Sequence, residues 1–238
     1  IAAEGHLRAL IEIDTGEGRG GVTPDDLALL ELAEALGGRL AGVMTHGGFS
    51  YAARGAAALA AAAEHERAGV VRAAQRLRTS GMAVPIVSAG SSPGAMHAGR
   101  LDGVTELRAG VYMFGDLFQA AIGTHGPGDI ALTVLTSVIG RRPKENKLLV
   151  DAGAIALSKD RSTAATEEDM GYGRVLDIDG KPTLGRATVV SAFQEHGIVA
   201  GDPAAAPIDR PVGRRLRIAP NHACLTAAAH DRYYVVEG

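Results

Sequence analysis

An imidazole and a thiol lie two positions apart near the carboxyl end of this 238-residue chain, at His222 and Cys224. They follow the apolar run 216–219, and in an extended segment the side chains of residues i and i+2 leave the same face. Imidazole and thiolate are both good zinc ligands, and two protein ligands leave positions open for water and substrate, as in catalytic metal sites. The alternative is a small apolar cysteine beside an incidental histidine.

Three loops in the first half of the chain, 16–19, 45–51 and 90–93, combine glycine with a potential ligand, and each follows a predicted strand. In a βα barrel such loops meet on one face, so their polar side chains are expected to be neighbours. These side chains are Arg19, His46, Tyr51, Ser91 and Ser92. The alternatives are a solvated Arg19 and a buried, hydrogen-bonded His46.

Two further patterns in this half indicate anion binding. Ser91 and Ser92 precede Pro93 and could open a helix, whose free amides suit a phosphate. A simple N-cap is the alternative interpretation. Arg108 lies two residues before Gly110, where the missing side chain lets a ligand approach the backbone amides. A bulge in a strand is the alternative interpretation of that glycine.

The elements that must position these residues alternate in the first half of the chain. Thr23 is a predicted N-cap with Pro24 at the first helical position, and the Ala-rich segment 52–80 is a second predicted helix. Strands are predicted at 7–13, 40–44, 84–87 and 104–114. Strands separated by helices imply parallel pairing in a βα architecture, with sites at the carboxyl ends of the strands.

The second half of the chain consists of short strand-like runs between turn residues, which is typical of an all-β domain. The runs are 130–140, 147–150, 174–178, 186–193, 212–218 and 233–236. Gly and Pro cluster at 123–129, so we expect two domains, 1–125 with the βα pattern and 126–238 with the β pattern.

Composition excludes several classes of protein. A net charge of −3 gives no general attraction to nucleic acid or to anionic membranes. The single cysteine cannot form an intrachain disulfide, so a reducing compartment, the cytoplasm, is expected. The chain shows no signal peptide and no apolar run long enough to cross a bilayer, so no membrane partner is expected.

Taken in order, several segments resemble the D-serine dehydratase and D-threonine aldolase family of pyridoxal-phosphate enzymes, which are relatives of alanine racemase. The segments are IEIDTGEGRGGV, GVMTHGGFSY, VSAGSSPGA, VTELRAGVYMFGD, DAGAIALSKD, QEHG and RIAPNHACLT. The most specific are TELRAGVY and PNHAC. The resemblance implies an α/β fold: a (β/α) barrel that binds the cofactor, then an all-β domain that binds a divalent metal such as zinc, usually in a homodimer.

The resemblance also implies roles for individual residues around the cofactor. Arg108 matches the arginine that approaches the pyridine nitrogen, and Gly110 and Val111 match the backbone that holds the phosphate. Ser91 and Ser92 match the hydroxyl-bearing phosphate loop. Arg19 and His46 correspond to residues around the cofactor ring, and Tyr51 to an aromatic residue in a GHSY-like loop, which here is GGFSY and lacks the histidine.

For the metal, His222 and Cys224 match the metal pair of the dehydratases. Aldolases of the family tend to have an aspartate in the second place, so Cys224 favours a dehydratase. The resemblance places the Schiff-base lysine at the end of the first barrel strand, about a hundred residues before Ile1, whereas the four lysines here all lie in the predicted β half. The natural protein is therefore expected to be longer, with the amino-terminal part of the barrel missing from this sequence.

The implied activity is a pyridoxal-phosphate-dependent, metal-assisted lyase. Its substrate would be a D-3-hydroxy amino acid such as D-serine or 3-hydroxyaspartate, and its products a keto acid and ammonia. A D-threonine-type aldolase or an amino-acid racemase could use the same scaffold. A protein that binds pyridoxal phosphate without turnover is the alternative from another class.

Overall fold

The computed structural model describes residues 7–236 of the chain. The chain divides into two compact units, Ile1–Gly110 and Val111–Gly238. The boundary at 125/126 that we drew from composition stays a prediction about the domains of the protein. Among the residues that the structure describes, no helix is long and apolar enough to cross a membrane.

The first unit is a four-stranded parallel sheet with helices between its strands, which confirms parallel pairing. The strands, in their order across the sheet, are β1 (Ala9–Ile13), β2 (Leu40–Thr45), β3 (Ile86–Ala89) and β4 (Glu106–Leu107). The helices are α1 (Ala28–Leu36), α2 (Ala56–Thr79) and α3 (Ser92–His97). The sheet is open, so the described residues of this unit do not form a closed βα barrel.

The core of this unit explains why β2 lies inside the sheet. Five of its six residues are buried, as expected for a parallel strand covered on both faces. Val43 and Val87 of neighbouring strands pack with Val70 and Leu77 of α2, all four fully buried. At Gly42 a Cβ atom would lie 2.0 Å from the Ile86 carbonyl oxygen, so the close contact between β2 and β3 requires glycine.

Two expectations for this unit are wrong. Helix α1 begins at Ala28 rather than after a Thr23 cap, because the Asp26 carboxylate accepts the Ala28 N–H at 2.9 Å and holds a turn there. The predicted strand 104–114 pairs over only two residues, Glu106–Leu107. The pairing ends there because the chain turns at Gly110 into a single turn of 3₁₀ helix, Val111–Met113.

The second unit is a closed six-stranded antiparallel barrel with strand order β10-β5-β6-β9-β8-β7, which confirms the β character of this half. Its strands are β5 (Val134–Arg142), β6 (Lys147–Val150), β7 (Gly173–Leu176), β8 (Thr188–Ala192), β9 (Gly197–Ala200) and β10 (Arg215–Pro220). Three short helices accompany them: α4 (Leu117–Ile122), α5 (Ala154–Leu157) and α6 (Ala223–Ala228). The sequence analysis missed β9, and no strand forms at 233–236.

Alternating valines fill the inside of the barrel. Val138, Val150, Val175, Val189 and Val199 come from five different strands and are fully buried. Closure leaves no unpaired edge, so the barrel needs no neighbouring strand for its backbone hydrogen bonds. The barrel is therefore a rigid support for the segment 221–224, which follows β10 directly.

Candidate functional site

The loops after β2 and β3 meet at the carboxyl edge of the parallel sheet. His46 directly follows β2, and its Nδ1 bonds to the Gly90 carbonyl oxygen at 2.6 Å, just beyond β3. A carbonyl can only accept, so Nδ1 of His46 carries a proton and donates it to Gly90. The rings of His46 and Tyr51 are 6.1 Å apart between centroids. The expected convergence of His46 and the SAGSSPG loop is thus seen.

Arg108 lies across the ends of the same two strands. Its Nε donates to the Ser88 hydroxyl at 2.9 Å, and its guanidinium also donates to the Thr45 carbonyl oxygen. A Cβ atom at Gly90 would lie 2.4 Å from the Arg108 carbonyl oxygen, so the two loops touch backbone to backbone. The guanidinium is therefore held in one place, with donors remaining for a ligand.

The serines of the third loop are buried. Ser91 is the N-cap of α3: its Oγ accepts the Gly94 N–H at 3.0 Å, which agrees with the N-cap interpretation. The Ser50 hydroxyl donates to the same oxygen at 3.3 Å. Ser92 is buried beside Ser91.

Gly110 has the space that a ligand-binding glycine needs. A Cβ atom there would meet no atom of the described residues within 4 Å. Val111, the next residue, is buried. A fixed cation at Arg108 and open backbone at Gly110, with the His46 ring at the same edge of the sheet, fit a phosphate-bearing pyridine ring.

Arg19 is a solvent-exposed residue in the structure, as one of the two interpretations of the sequence expected. It lies in the loop after β1, where its guanidinium is 3.6 Å from both Glu12 and Glu17, and its side chain is 58% exposed. The Asp14 carboxylate shapes this loop by accepting the amides of residues 16–18. A role for Arg19 toward a cofactor stays a prediction.

Sequence analysis missed Glu66 of α2, which is 3% exposed. Its Oε1 accepts the amide of Gly47 at 2.9 Å and that of Gly90 at 2.8 Å, and its Oε2 accepts the Ser91 hydroxyl at 3.2 Å. Burial raises the pKa of Glu66 in spite of these hydrogen bonds. A signal existed: Glu66 interrupts the apolar helical stripe of Leu59, Ala63, Val70, Ala74 and Leu77.

The second unit brings the imidazole and thiol together, although the expected local structure is wrong. His222 has extended backbone angles, but Cys224 lies in the first turn of α6 rather than in a continuing extended segment. The Cys224 side chain is nonetheless near enough to the His222 ring to raise its pKa. His222 is the N-cap residue of α6, and its side chain makes no capping hydrogen bond.

A carboxylate orients the His222 ring. Nδ1 of His222 donates to Asp160 Oδ2 at 2.5 Å, and Ser162 donates to the other oxygen of Asp160 at 2.8 Å. Cys224 raises the pKa of His222 most, and Asp160 raises it further. Burial lowers this pKa, and the net result is a pKa of about 9. Burial raises the pKa of Asp160, but the hydrogen bonds from His222 and Ser162 outweigh burial, so the pKa of Asp160 is lowered.

This donor set fits a divalent cation. Groups that stabilise a proton on the imidazole also stabilise a metal in its place, so the two compete. With Nδ1 bonded to Asp160, Nε2 is the ring nitrogen left for a metal, an arrangement common among metal-binding histidines. The described residues contain no cluster of three or more metal-ligating side chains, so His222 and Cys224 would leave open positions.

Two further buried residues that the sequence analysis missed hold the segment 221–224. The Asn221 amide donates to the Thr163 hydroxyl and to the Gly171 carbonyl oxygen, both at 2.6 Å. Asp116, the N-cap of α4, accepts the Ala223 N–H at 2.9 Å. Both side chains are fully buried. An aspartate before the run LFQAAI is a recognisable cap signal, and Asn221 lies inside the PNHAC motif.

A parallel sheet with intervening helices, followed by an antiparallel six-stranded barrel, defines an alanine racemase-like protein. Two family models match the chain: "Alanine racemase, N-terminal domain" over residues 1–117 and "Putative serine dehydratase domain" over residues 131–236. The chain belongs to the D-serine dehydratase and D-threonine aldolase family of alanine racemase-like proteins.

The chain is 49% identical over 231 residues to D-threo-3-hydroxyaspartate dehydratase of Delftia sp. (strain HT23), which covers 94% of the chain and 60% of that protein. It is 29% identical to D-serine dehydratase of Dictyostelium discoideum, with 95% of the chain and 60% of the relative covered. The chain thus spans about 60% of the length of these relatives.

Two solved structures of variants of D-threo-3-hydroxyaspartate dehydratase match with a TM-score of 0.90 and 47% identity. One variant replaces a histidine by alanine, and the match covers 97% of this chain and 62% of that one. The other replaces a cysteine two positions further along, is described as the metal-free form, and the match covers 96% and 64%.

Proposed function

We propose that this protein is a pyridoxal-phosphate-dependent, metal-assisted lyase that dehydrates a D-3-hydroxy amino acid, such as D-serine or 3-hydroxyaspartate, to a keto acid and ammonia. The observation that carries the proposal is the His222 ring, held by Asp160 at 2.5 Å, with Cys224 two residues further on in the first turn of α6. The similarity to D-threo-3-hydroxyaspartate dehydratase supports it.

His222 and Cys224 would hold the metal, which we propose to be zinc. A metal at this pair would supply Lewis-acid polarisation of the 3-hydroxyl group of the substrate. In support, the histidine and cysteine replaced in the variants of the relative have the same spacing, and the cysteine variant is described as metal-free. Asp160 would keep the proton on Nδ1 of His222, so that Nε2 stays available to the metal.

The domain 1–125 would bind pyridoxal phosphate, which when bound supplies an electron sink for the charge left at Cα. Arg108 would donate to the pyridine nitrogen, and because a guanidinium cannot accept a proton, that nitrogen would stay unprotonated. The backbone of Gly110 and Val111, with Ser91 and Ser92, would bind the phosphate. The side chains that would surround the ring are Arg19, His46 and Tyr51.

The remaining assignments belong to the whole protein. The cofactor would lie in the domain 1–125 and the metal in the domain 126–238, and the protein would act as a cytoplasmic homodimer on a small D-amino acid. The family membership of the chain supports this organisation.

Product analysis of the purified full-length protein tests the reaction. With D-serine and D-threo-3-hydroxyaspartate we expect keto acid and ammonia in equal amounts, with L-serine as the control substrate. Glycine plus an aldehyde from D-threonine would instead identify an aldolase, and conversion of D- into L-amino acid would identify a racemase. Bound pyridoxal phosphate without any turnover would identify the non-catalytic alternative.

A further inference from the structure

We propose that Glu66 is a positioning residue for the cofactor site: its carboxylate holds the loops after β2 and β3 in the arrangement that receives pyridoxal phosphate. The inference rests on the proposed function of the first unit. Nothing in the sequence motifs of the family points to Glu66, since it lies in the Ala-rich part of α2, outside the segments that resemble the family.

One carboxylate oxygen fixes both loops at once. Oε1 of Glu66 accepts the Gly47 amide at 2.9 Å and the Gly90 amide at 2.8 Å. Gly47 follows His46, and the Gly90 carbonyl oxygen accepts the proton of the His46 ring at 2.6 Å. The peptide groups at Gly90 are therefore held by Glu66 on the N–H side and by His46 on the C=O side. A displacement of Glu66 must move the His46 ring.

The second oxygen of Glu66 orders the serine loop. Oε2 accepts the Ser91 hydroxyl at 3.2 Å, and Ser91 Oγ in turn accepts the Gly94 amide and the Ser50 hydroxyl. Since the Ser91 proton points to Glu66, the direction of each hydrogen bond in this group follows from the carboxylate. The same side chain thus sets the start of α3 and the position of Ser50.

Two glycines make room for this carboxylate, which is an observation independent of the hydrogen bonds. A Cβ atom at Gly47 or at Gly94 would lie 2.5 Å from Glu66 Oε2. Any side chain at either position would push the carboxylate away. The neighbouring His65 extends the same anchoring to the loop after β1, because its Nε2 donates to the Thr15 carbonyl oxygen at 2.8 Å.

A carboxylate at this position has a cost that packing alone does not require. The positions before and after it on the stripe, Ala63 and Val70, are apolar, and an apolar side chain would satisfy the helix face equally well. Removing a carboxylate from water is unfavourable unless several donors compensate for the loss. Three donors do so here, and all three belong to the loops that carry the cofactor residues.

The test separates placement from charge with two variants of the cofactor-depleted full-length protein. Glu66→Asp keeps the charge but withdraws the carboxylate by one methylene, so it cannot reach both amides. Glu66→Gln loses the charge and replaces the acceptor for Ser91 by an amide donor, but it keeps an oxygen at the same distance for the two loop amides of Gly47 and Gly90. Glu64→Asp is the matched control: Glu64 lies on the same helix but pairs with Arg67 and Arg100 instead of the loops.

The readouts are the dissociation constant of pyridoxal phosphate, from its absorbance change, and amide hydrogen exchange at 46–50 and 89–94. For Glu66→Asp we expect the constant to rise at least about tenfold, equivalent to about 1.4 kcal/mol, with faster exchange in both segments. Glu66→Gln is expected to stay within about threefold of wild type, and Glu64→Asp to be unchanged.

Three results would overturn the inference. Unchanged cofactor affinity in Glu66→Asp would show that the loops do not depend on the carboxylate. Impaired Glu66→Gln beside intact Glu66→Asp would show that charge rather than placement matters. A wild-type protein that fails to bind pyridoxal phosphate would overturn the proposed function together with this inference, and so differs from the first two results.

Discussion

Replacing Gly110 by alanine is expected to weaken cofactor binding without harming the fold. The added Cβ meets no described atom within 4 Å, and the φ angle of Gly110 lies outside the left-handed region, so alanine fits the apoprotein. Because alanine narrows the conformations of the unfolded chain, the free energy of unfolding should rise by about 0.4–1 kcal/mol.

The same methyl group is expected to hinder the binding of pyridoxal phosphate. If the backbone at Gly110 approaches the phosphate, the methyl occupies the space that the phosphate needs. We expect the dissociation constant of pyridoxal phosphate to rise at least about tenfold, a loss of about 1.4 kcal/mol. Urea denaturation of the apoprotein and titration with the cofactor measure the two effects on one preparation.

Gly90→Ala is the matched control, with the opposite expectation for stability. There the Cβ would lie 2.4 Å from the Arg108 carbonyl oxygen, a backbone atom that cannot move aside. We expect a loss of about 1–3 kcal/mol in the free energy of unfolding. A Gly110→Ala protein that binds pyridoxal phosphate as tightly as wild type would refute the assignment of this backbone to the phosphate.

Three further predictions concern buried polar groups. Burial raises the pKa of Glu66 above 4.5, so ionising this carboxyl group costs more in the folded protein than in the unfolded one. The stability of the wild type relative to Glu66→Gln is therefore greatest below pH 4.5 and falls as the pH rises through the folded-state pKa of Glu66. Urea denaturation of both proteins across this pH range measures the difference, and a constant difference would contradict the prediction. Asp160→Asn should lower zinc affinity about 10- to 100-fold by competition titration, whereas equal losses in Ser162→Ala would argue against a specific role of the carboxylate. Asn221→Ala leaves Thr163 and its neighbours without buried partners and should lower the free energy of unfolding by about 1–3 kcal/mol; an unchanged midpoint would refute this.

The alternation of strands and helices was predictable because it depends on local patterns. Apolar runs followed by Gly-rich loops identify β1 and β2, and parallel pairing then brings His46 and the SAGSSPG loop to one edge of the sheet. The joint role of His222 and Cys224 stays a prediction, and the extended segment from which it was drawn is wrong. Cys224 lies in a helix start, and two-residue spacing alone does not distinguish the two structures.

The residues that support the site were not predictable because their partners are distant in the sequence. Glu66 bonds to residues 19 and 24 positions away, and Asp116 bonds to Ala223 across 107 positions. Each resembles an ordinary helix residue until the loops are in place. In the sequence, the one sign of Glu66 was that it interrupts an apolar stripe of α2. A glutamate on an exposed helix face would give the same sequence pattern, so this sign was not sufficient.

The central claim is that dehydration depends on a metal held by His222 and Cys224. The most direct measurement is keto-acid release from a D-3-hydroxy amino acid by the full-length protein after treatment with a chelator and again after addition of zinc, beside Cys224→Ala. The account predicts that the chelator abolishes keto-acid release, that zinc restores it in wild type, and that zinc does not restore it in Cys224→Ala. Keto-acid release that continues at the wild-type rate in the metal-free protein would contradict the account.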